Sequence, residues 1–344
     1  ERSSFIVHLK ICFLILVVLI TSCSRDQNLI LESMSGTTMG TTYSVKYVVD
    51  QGSFTSNSLQ NRVDSILALI NKQMSTYIRD SEISLFNSSF DTNWVSVSED
   101  FARLVFEAKS ISRLSNGYYD VTVGPVVNLW GFGPEAVPLK VPSEKSIQRA
   151  MNRTGIEKLL VDQDQNQIKK TIPDLYLDLS SIAKGFGVDK VAEYFDEIGI
   201  NDFMVEIGGE VRTKGKNSKG DDWRIGISTP LGNELQKIVS ISGKSVATSG
   251  DYMNYYENEG KRYSHLINPL TGKPITHNLA SVTVIHDNCT LADAFATTIN
   301  VMGTDKGYEF ALIKKLPVFL IVREGNEFIE KMTPFFEEYI QKVN

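Results

Sequence analysis

Cysteine is scarce in this chain, with three residues in 344: Cys12, Cys23 and Cys289. So few cysteines exclude a small scaffold held together by disulfides. The sequence also has no CxxC pair and no second histidine at zinc-ligand spacing, which disfavours a zinc site. If Cys12 is removed with a signal peptide and Cys23 carries lipid, Cys289 is the only free thiol.

Several motifs of common enzyme and binding classes are also missing. There is no GxGxxG, no Walker A loop and no GxSxG, which disfavours a Rossmann dehydrogenase, a P-loop NTPase and a serine hydrolase. No stretch collects many basic residues and the formal net charge is −6, so nucleic-acid binding is not expected. A hydrophobic content of 42% excludes wholesale disorder, and the length suits one large domain or two closely packed ones.

The chain has one long apolar run near its start, residues 11–20, preceded by Lys10. Ten helical residues span about half of a bilayer core, so the run is typical of a signal peptide rather than of a membrane anchor. Ile20-Thr21-Ser22-Cys23 resembles a bacterial lipobox, and the alternative is an ordinary signal peptide with a cysteine nearby. We predict a signal peptide over 1–22, a lipidated Cys23 with a polar tether over 23–35, and a catalytic domain over 36–344.

Hydrophobic periodicity predicts interleaved helices and strands. Residues 59–70 and 101–114 carry apolar stripes at helical spacing, with Ser98 as a candidate N-cap of the second helix. Strands and helices alternate without a strict βαβ rhythm, so the pattern favours an α+β fold. Further strands are predicted over 39–49, 159–161, 167–172, 175–179, 203–207, 223–228, 237–241, 262–267, 281–286 and 318–322, and further helices over 143–152, 188–198 and 291–302 and from Pro334 onward.

The segment LDLSSIAKGFG places small hydroxyl residues between a predicted strand and a helix. Free N–H groups at a helix start attract anions such as phosphate, and Lys184 adds a positive charge there. The alternative is an ordinary turn, capped by Ser180 or Ser181.

Asp293 and Thr297 stand four residues apart, on one face of the predicted helix. A carboxylate and a hydroxyl are hard oxygen donors suited to Mg²⁺. The alternative is a capping box in which Thr290 and Asp293 only satisfy the start of the helix.

Two further segments are candidate site elements. His265 precedes a turn rich in Asn, Pro and Gly, where functional side chains often project, although a lone histidine is more often an ordinary surface or core residue. The Gly208-Gly209 pair within a strand pattern predicts a bulge or a close approach to a ligand. The glycine-containing stretch 118–134 is neither a clean helix nor a clean strand, so it is a candidate loop packed on a ligand.

Together these segments resemble one family, the ApbE family of bacterial FAD:protein FMN transferases. The resemblance runs from about Met39 to about Met302 and implies an α+β fold, similar to a T-fold, of two packed α/β subdomains with FAD in the cleft between them. The matching stretches, in the order of the family, are MGTTYSV, MSTYIRDSEIS, GYYDVTVGPVVNLWGFG, LDLSSIAKGFGVD, VEIGGEV, SVATSGDY, YSHLINPLTGKP and LADAFATTINVMG.

The resemblance implies a Mg²⁺-dependent transfer of the FMN part of FAD to a threonine hydroxyl of a target protein, with release of AMP. It implies that Asp293, Thr297 and a backbone oxygen of Ser181 bind Mg²⁺ and that His265 is the general base, for which an ordinary histidine pKa near 6.5 is suitable. The residues implied to contact FAD are Met39, Ser75, Thr76, Tyr77, Tyr119, Asp120, Val121, Asp178, Lys184 and His265.

The implied acceptor is a redox-pump subunit or a secreted flavoprotein with a Ser/Thr-Gly-Ala-Thr stretch, and the implied location is the bacterial cell envelope, lipid-anchored and facing the periplasm or the exterior. Asn268 and Leu270 depart from the family pattern, which often has Asp before the proline and Arg after it. Two alternatives stay open: a Mg²⁺-dependent FAD pyrophosphatase that gives FMN and AMP, and a non-catalytic FAD-binding lipoprotein.

Overall fold

The computed structural model describes residues 29–53, 56–134, 141–230, 235–250, 255–258, 260–325 and 327–341. The predicted signal peptide and Cys23 lie outside these residues. Within the described ranges, no helix combines the length and the apolar character needed to cross a bilayer.

An eight-stranded sheet organises the described chain, and every neighbouring pair in it is antiparallel. Its strand order is β1-β2-β6-β7-β10-β15-β16-β17. The strands are β1 (Leu29–Thr38), β2 (Thr41–Asp50), β3 (Val95–Ser96), β4 (Leu159–Asp162), β5 (Gln167–Lys170), β6 (Phe203–Ile207), β7 (Glu210–Lys214), β8 (Trp223–Ser228), β9 (Leu235–Ile241), β10 (Ser245–Gly250), β11 (Tyr255–Asn258), β12 (Lys261–Ser264), β13 (Ile267–Asn268), β14 (Lys273–Pro274), β15 (Leu279–His286), β16 (Val318–Glu324) and β17 (Glu327–Met332).

Helices cover one face of this sheet, and the β8–β9 hairpin covers part of the other. Successive side chains of β15 point to opposite faces of the sheet and so contact different layers. Val282 and Val284 belong to the core formed with the helices, whereas Ile285 packs with residues of the hairpin. The helices are α1 (Ser56–Met74), α2 (Glu82–Ser88), α3 (Glu99–Leu114), α4 (Gly124–Leu129), α5 (Glu144–Met151), α6 (Ala183–Glu197), α7 (Cys289–Met302) and α8 (Thr304–Ile313), and 3₁₀ turns occupy Ile156–Lys158 and Pro334–Tyr339.

The predicted α+β class is confirmed, and so is the N-cap of α3, where Ser98 Oγ accepts from Phe101 N. The predicted strand over 175–179 is wrong, because this segment bonds outside any sheet: Asp178 N donates to Val121 O at 2.8 Å. The predicted final helix is also wrong, since Pro334–Tyr339 is a short 3₁₀ turn.

The tether prediction is wrong for residues 29–35, because they lie in β1 and pair with β2 from the Leu29–Asp50 position onward. β1 is the edge strand of the sheet, and Met34 is buried while its neighbours in sequence are more exposed. A polar edge strand has a sequence similar to that of a tether, because only one of its faces contacts the core and most of its residues can be polar.

Candidate active site

A cavity of about 780 Å³ brings most of the predicted site residues together. Its walls come from the start of α6, one face of α7, the loop before α4, and the segment from His265 to Pro269. The predicted residues that line it are Thr76, Tyr77, Tyr119, Asp120, Asp178, Ser181, Lys184, His265, Asp293 and Thr297.

Three of the predicted flavin contacts do not line the cavity: Met39, Ser75 and Val121. Val121 is buried and its carbonyl accepts from Asp178 N. Ser75 Oγ accepts from the backbone N–H of Tyr77 at 3.3 Å. These two residues therefore position cavity residues.

Met39 has a left-handed backbone, with φ of 49°, in the turn between β1 and β2. Its side chain packs on the core beside α6, where its methyl group is 3.0 Å from the position that a Cβ on Gly187 would occupy.

Asp293 is nearly buried on α7 and points to the first turn of α6. Its Oδ2 accepts from Gly185 N at 3.0 Å, and no described residue bonds its Oδ1. Burial raises the pKa of Asp293 to about 6. The capping-box alternative is wrong, because the side chain of Asn288 caps α7 by accepting from Leu291 N.

Gly185 allows α6 and α7 to come this close. A Cβ at this position would lie 2.4 Å from the carbonyl oxygen of Cys289 and 2.9 Å from Cβ of Asp293. Since backbone cannot move aside as a flexible side chain can, glycine at this position is what permits the carboxylate of Asp293 to reach the helix start.

Lys184 forms an ion pair with the buried Glu210, with 2.6 Å between Nζ and Oε2. Burial and the negative charge of Asp293 raise the pKa of Glu210 to about 8. Lys184 is thus attracted by two carboxylates, those of Asp293 and Glu210.

These residues fit a magnesium ion. No group of three or more His, Cys, Asp or Glu residues is arranged around a common point in the described chain, so a metal here would depend on one carboxylate and on neutral oxygens. Mg²⁺ is usually held in this way, by one or two carboxylates together with substrate phosphates. The unbonded Oδ1 of Asp293 and the hydroxyl of Thr297 on the same cavity wall supply suitable donors.

The segment before α6 supplies a second wall. Ser181 Oγ donates to Tyr119 Oη at 3.0 Å, and Asp178 accepts from Ser180 N at 2.9 Å. Neither serine caps α6, because its N-cap is Ile182, which makes no side-chain bond there. The alternative of an ordinary capped turn is therefore wrong.

Asp120 lines the cavity with a carboxylate that already has protein partners. Oδ1 accepts from the backbone N–H and the hydroxyl of Thr122 at 2.7 Å each, and Oδ2 accepts from Ile156 N at 3.1 Å. These bonds show that Asp120 also anchors the loop that carries Tyr119.

His265 is half-buried in the cavity lining, between β12 and β13. Its ring meets the edge of Phe132, with 6.3 Å between ring centroids. Phe132 belongs to the glycine-containing stretch, which lines the cavity but is not a loop throughout, because residues 124–129 form α4. Trp130 Nε1 donates to Gly272 O, which joins this stretch to the turn after His265.

Gly208 and Gly209 form the hairpin turn between β6 and β7, with φ of 59° and 102°, rather than a bulge. Both line the cavity, and a Cβ on Gly208 would meet Thr41 at 2.8 Å. The double glycine signalled a special backbone, but its pattern did not distinguish a turn from a bulge.

The ends of β8 and β10 add a polar wall to which the sequence assigned no site residues. Its members include Ser228, Thr229, Thr248, Ser249 and Gly250. Asn300, buried on α7, donates from Nδ2 to the carbonyl of Ser249 at 3.0 Å. The sequence feature that could have indicated this wall is Asn300, a polar residue within the stretch TTINVM.

The sequence model described as the ApbE family matches residues 39–320. The chain belongs to the ApbE family. A FAD:protein FMN transferase of Vibrio cholerae is 44% identical over 328 residues, covering 95% of this chain and 97% of that protein. The corresponding protein of Escherichia coli is 38% identical over 311 residues, covering 89% of this chain and 88% of its own length.

Solved structures of the ApbE family agree with this assignment. The flavin transferase ApbE of Vibrio cholerae superposes with a TM-score of 0.84 at 44% identity, covering 90% of this chain and 99% of that one. The apo form of the flavinyl transferase ApbE of Pseudomonas stutzeri gives 0.85 at 38% identity, covering 92% and 98%. These similarities confirm the predicted family, fold class and enzyme class, a flavinyltransferase.

Proposed function

We propose that this protein transfers the FMN moiety of FAD to a threonine hydroxyl of an acceptor protein, using Mg²⁺ and releasing AMP. One observation carries the proposal: a single cavity unites Asp293, Thr297, Ser181, Lys184 and His265. This arrangement belongs to a chain whose relatives are FAD:protein FMN transferases.

In the proposed reaction, the threonine oxygen attacks the phosphorus on the FMN side of the pyrophosphate. A new O–P bond forms, the bond from that phosphorus to the bridging oxygen breaks, and AMP leaves with the bridging oxygen. The hydroxyl proton passes to the imidazole of His265, since histidine is suited to accept a proton near neutral pH. The ammonium group of Lys184 lies on the wall nearest Asp293, where it attracts phosphate oxygens.

The groups proposed to hold the metal are Asp293, Thr297 and the backbone oxygen of Ser181. When bound, Mg²⁺ supplies Lewis-acid polarisation and neutralises charge on the phosphates. The contribution of the chain is to keep these oxygens at the junction of α6 and α7.

The first test concerns His265. Replacing His265 by alanine is expected to leave FAD affinity nearly unchanged and to lower the transfer rate by about 100- to 10,000-fold, because the proton acceptor is lost. FAD affinity follows from quenching of flavin fluorescence, and transfer from single-turnover labelling of an acceptor. A wild-type transfer rate in this variant would remove His265 from the chemistry.

The proposed location is the bacterial cell envelope, with the protein held by lipid on Cys23 and facing the periplasm or the exterior. The acceptor is proposed to carry a Ser/Thr-Gly-Ala-Thr stretch.

Globomycin, which blocks lipoprotein signal cleavage, is expected to accumulate a precursor larger than the mature protein on a gel. A product of normal size under globomycin would contradict the lipobox assignment. A product of normal size from the Cys23→Ser variant would contradict it as well.

A further inference from the structure

Asp189, on α6, is a buried carboxylate whose hydrogen bonds all come from elsewhere in the fold. Its Oδ1 accepts from Arg212 Nη1 at 2.6 Å and from Cys289 N at 3.1 Å. Its Oδ2 accepts from the backbone N–H of Thr290 at 2.8 Å and from the Thr290 hydroxyl at 2.6 Å. Asp189 therefore satisfies the first N–H groups of α7, which have no partner within their own helix.

The relation between the two helices is reciprocal. Asp189 of α6 holds the start of α7, and Asp293 of α7 accepts from Gly185 N at the start of α6. Each helix thus presents a carboxylate to the first turn of the other. Two such contacts on adjacent turns limit both sliding and rotation of α7 against α6.

We propose that Asp189 is a positioning residue for the metal site: by fixing α7 on α6, it sets the position of Asp293 and Thr297 relative to Ser181. This inference rests on the proposed function, because those three residues are the proposed Mg²⁺ ligands. Asp189 does not line the cavity among the described residues, so it acts only through α7. Mg²⁺ demands near-ideal octahedral geometry, so a small shift of α7 is costly for binding.

Asparagine has nearly the shape of aspartate but cannot replace it here. All four groups around the Asp189 carboxylate are donors, so the amide –NH₂ of an asparagine would face a donor whichever way it turned. Asp189→Asn should therefore release one side of the contact with α7 and leave the Arg212 cation without its carboxylate.

The test uses the purified full-length protein and Mn²⁺ alone as the probe, with free Mn²⁺ measured by electron paramagnetic resonance. Asp189→Asn is expected to weaken Mn²⁺ binding by about 10- to 100-fold, as is typical when the support of a metal ligand is lost. FAD affinity without metal should stay close to that of the wild type. If Asp189→Asn does not fold, Thr290→Val removes one of the four bonds and should weaken Mn²⁺ binding to a smaller extent.

A matched control separates positioning from general stability. Tyr43→Phe breaks the Tyr43–Asp64 hydrogen bond between β2 and α1, outside the cavity lining, and should lower the unfolding temperature without altering Mn²⁺ affinity. Wild-type Mn²⁺ affinity in both Asp189→Asn and Thr290→Val, or an equal loss in Tyr43→Phe, would overturn the positioning role.

Asp293→Asn distinguishes this inference from the proposed function. If Asp293→Asn leaves Mn²⁺ affinity unchanged, the metal assignment itself is wrong. If Asp293→Asn weakens Mn²⁺ binding and the Asp189 and Thr290 variants do not, only the positioning role fails.

Discussion

Replacing Asp293 by asparagine is expected to lower Mg²⁺-dependent flavin transfer by about 1,000-fold, equivalent to about 4 kcal/mol of transition-state stabilisation. Asp293 is the one carboxylate among the proposed metal ligands. The asparagine oxygen can still accept from Gly185 N, so the junction of α6 and α7 should survive while the charge is lost. The expected result is therefore a folded protein that has lost its metal-dependent activity.

The measurement for Asp293→Asn is AMP release and acceptor labelling over a series of Mg²⁺ concentrations. Asp64→Asn is the control, since Asp64 also accepts a hydrogen bond but lies outside the cavity lining. It should leave the Mg²⁺ dependence unchanged. A wild-type turnover with the wild-type Mg²⁺ dependence in Asp293→Asn would remove Asp293 from the metal site.

A second large effect is expected for Gly185→Ala. The new Cβ would lie 2.4 Å from the carbonyl oxygen of Cys289, so α6 and α7 must separate. Overpacking of this kind costs about 1–3 kcal/mol, and here it also moves Asp293 away from the start of α6. We expect a lower free energy of unfolding in urea together with weaker Mg²⁺ dependence of transfer.

Gly187→Ala is the matched control in the same helix. A Cβ there would meet the mobile ends of Met39, at 3.0 Å, and Ile207, at 3.2 Å, which can move aside. Alanine is also favoured over glycine inside a helix by about 1 kcal/mol, so the net change in stability should be small. If both variants lost stability and Mg²⁺ dependence to the same extent, the close contact at Gly185 would not be the cause.

Local patterns predicted much of the secondary structure. The helical stripe and the N-cap residue Ser98 specify α3 directly, because both signals act over a few residues. The predictions of a tether at β1 and of a strand over 175–179 are wrong because local signals do not determine these segments. Their structure depends on partners that are distant in sequence, such as β2 for Leu29 and Val121 for Asp178.

The candidate site shows the same limit. The Asp293–Thr297 spacing predicted two donors on one helix face, and both line the cavity. The carboxylate of Asp189 contacts Thr290, which is 101 residues away in sequence. No local pattern connects these two residues, so the reciprocal contact of α6 and α7 could be found only in the fold.

The most direct test of the proposed function is the intact mass of an acceptor protein carrying a Ser/Thr-Gly-Ala-Thr stretch. The acceptor is incubated with this protein, FAD and Mg²⁺, and AMP is measured in the same reaction. We predict that the acceptor gains the mass of FMN less one water, with one AMP released for each adduct. Free FMN and AMP without an adduct would indicate a pyrophosphatase instead, and FAD that is bound but left intact would contradict any catalytic role.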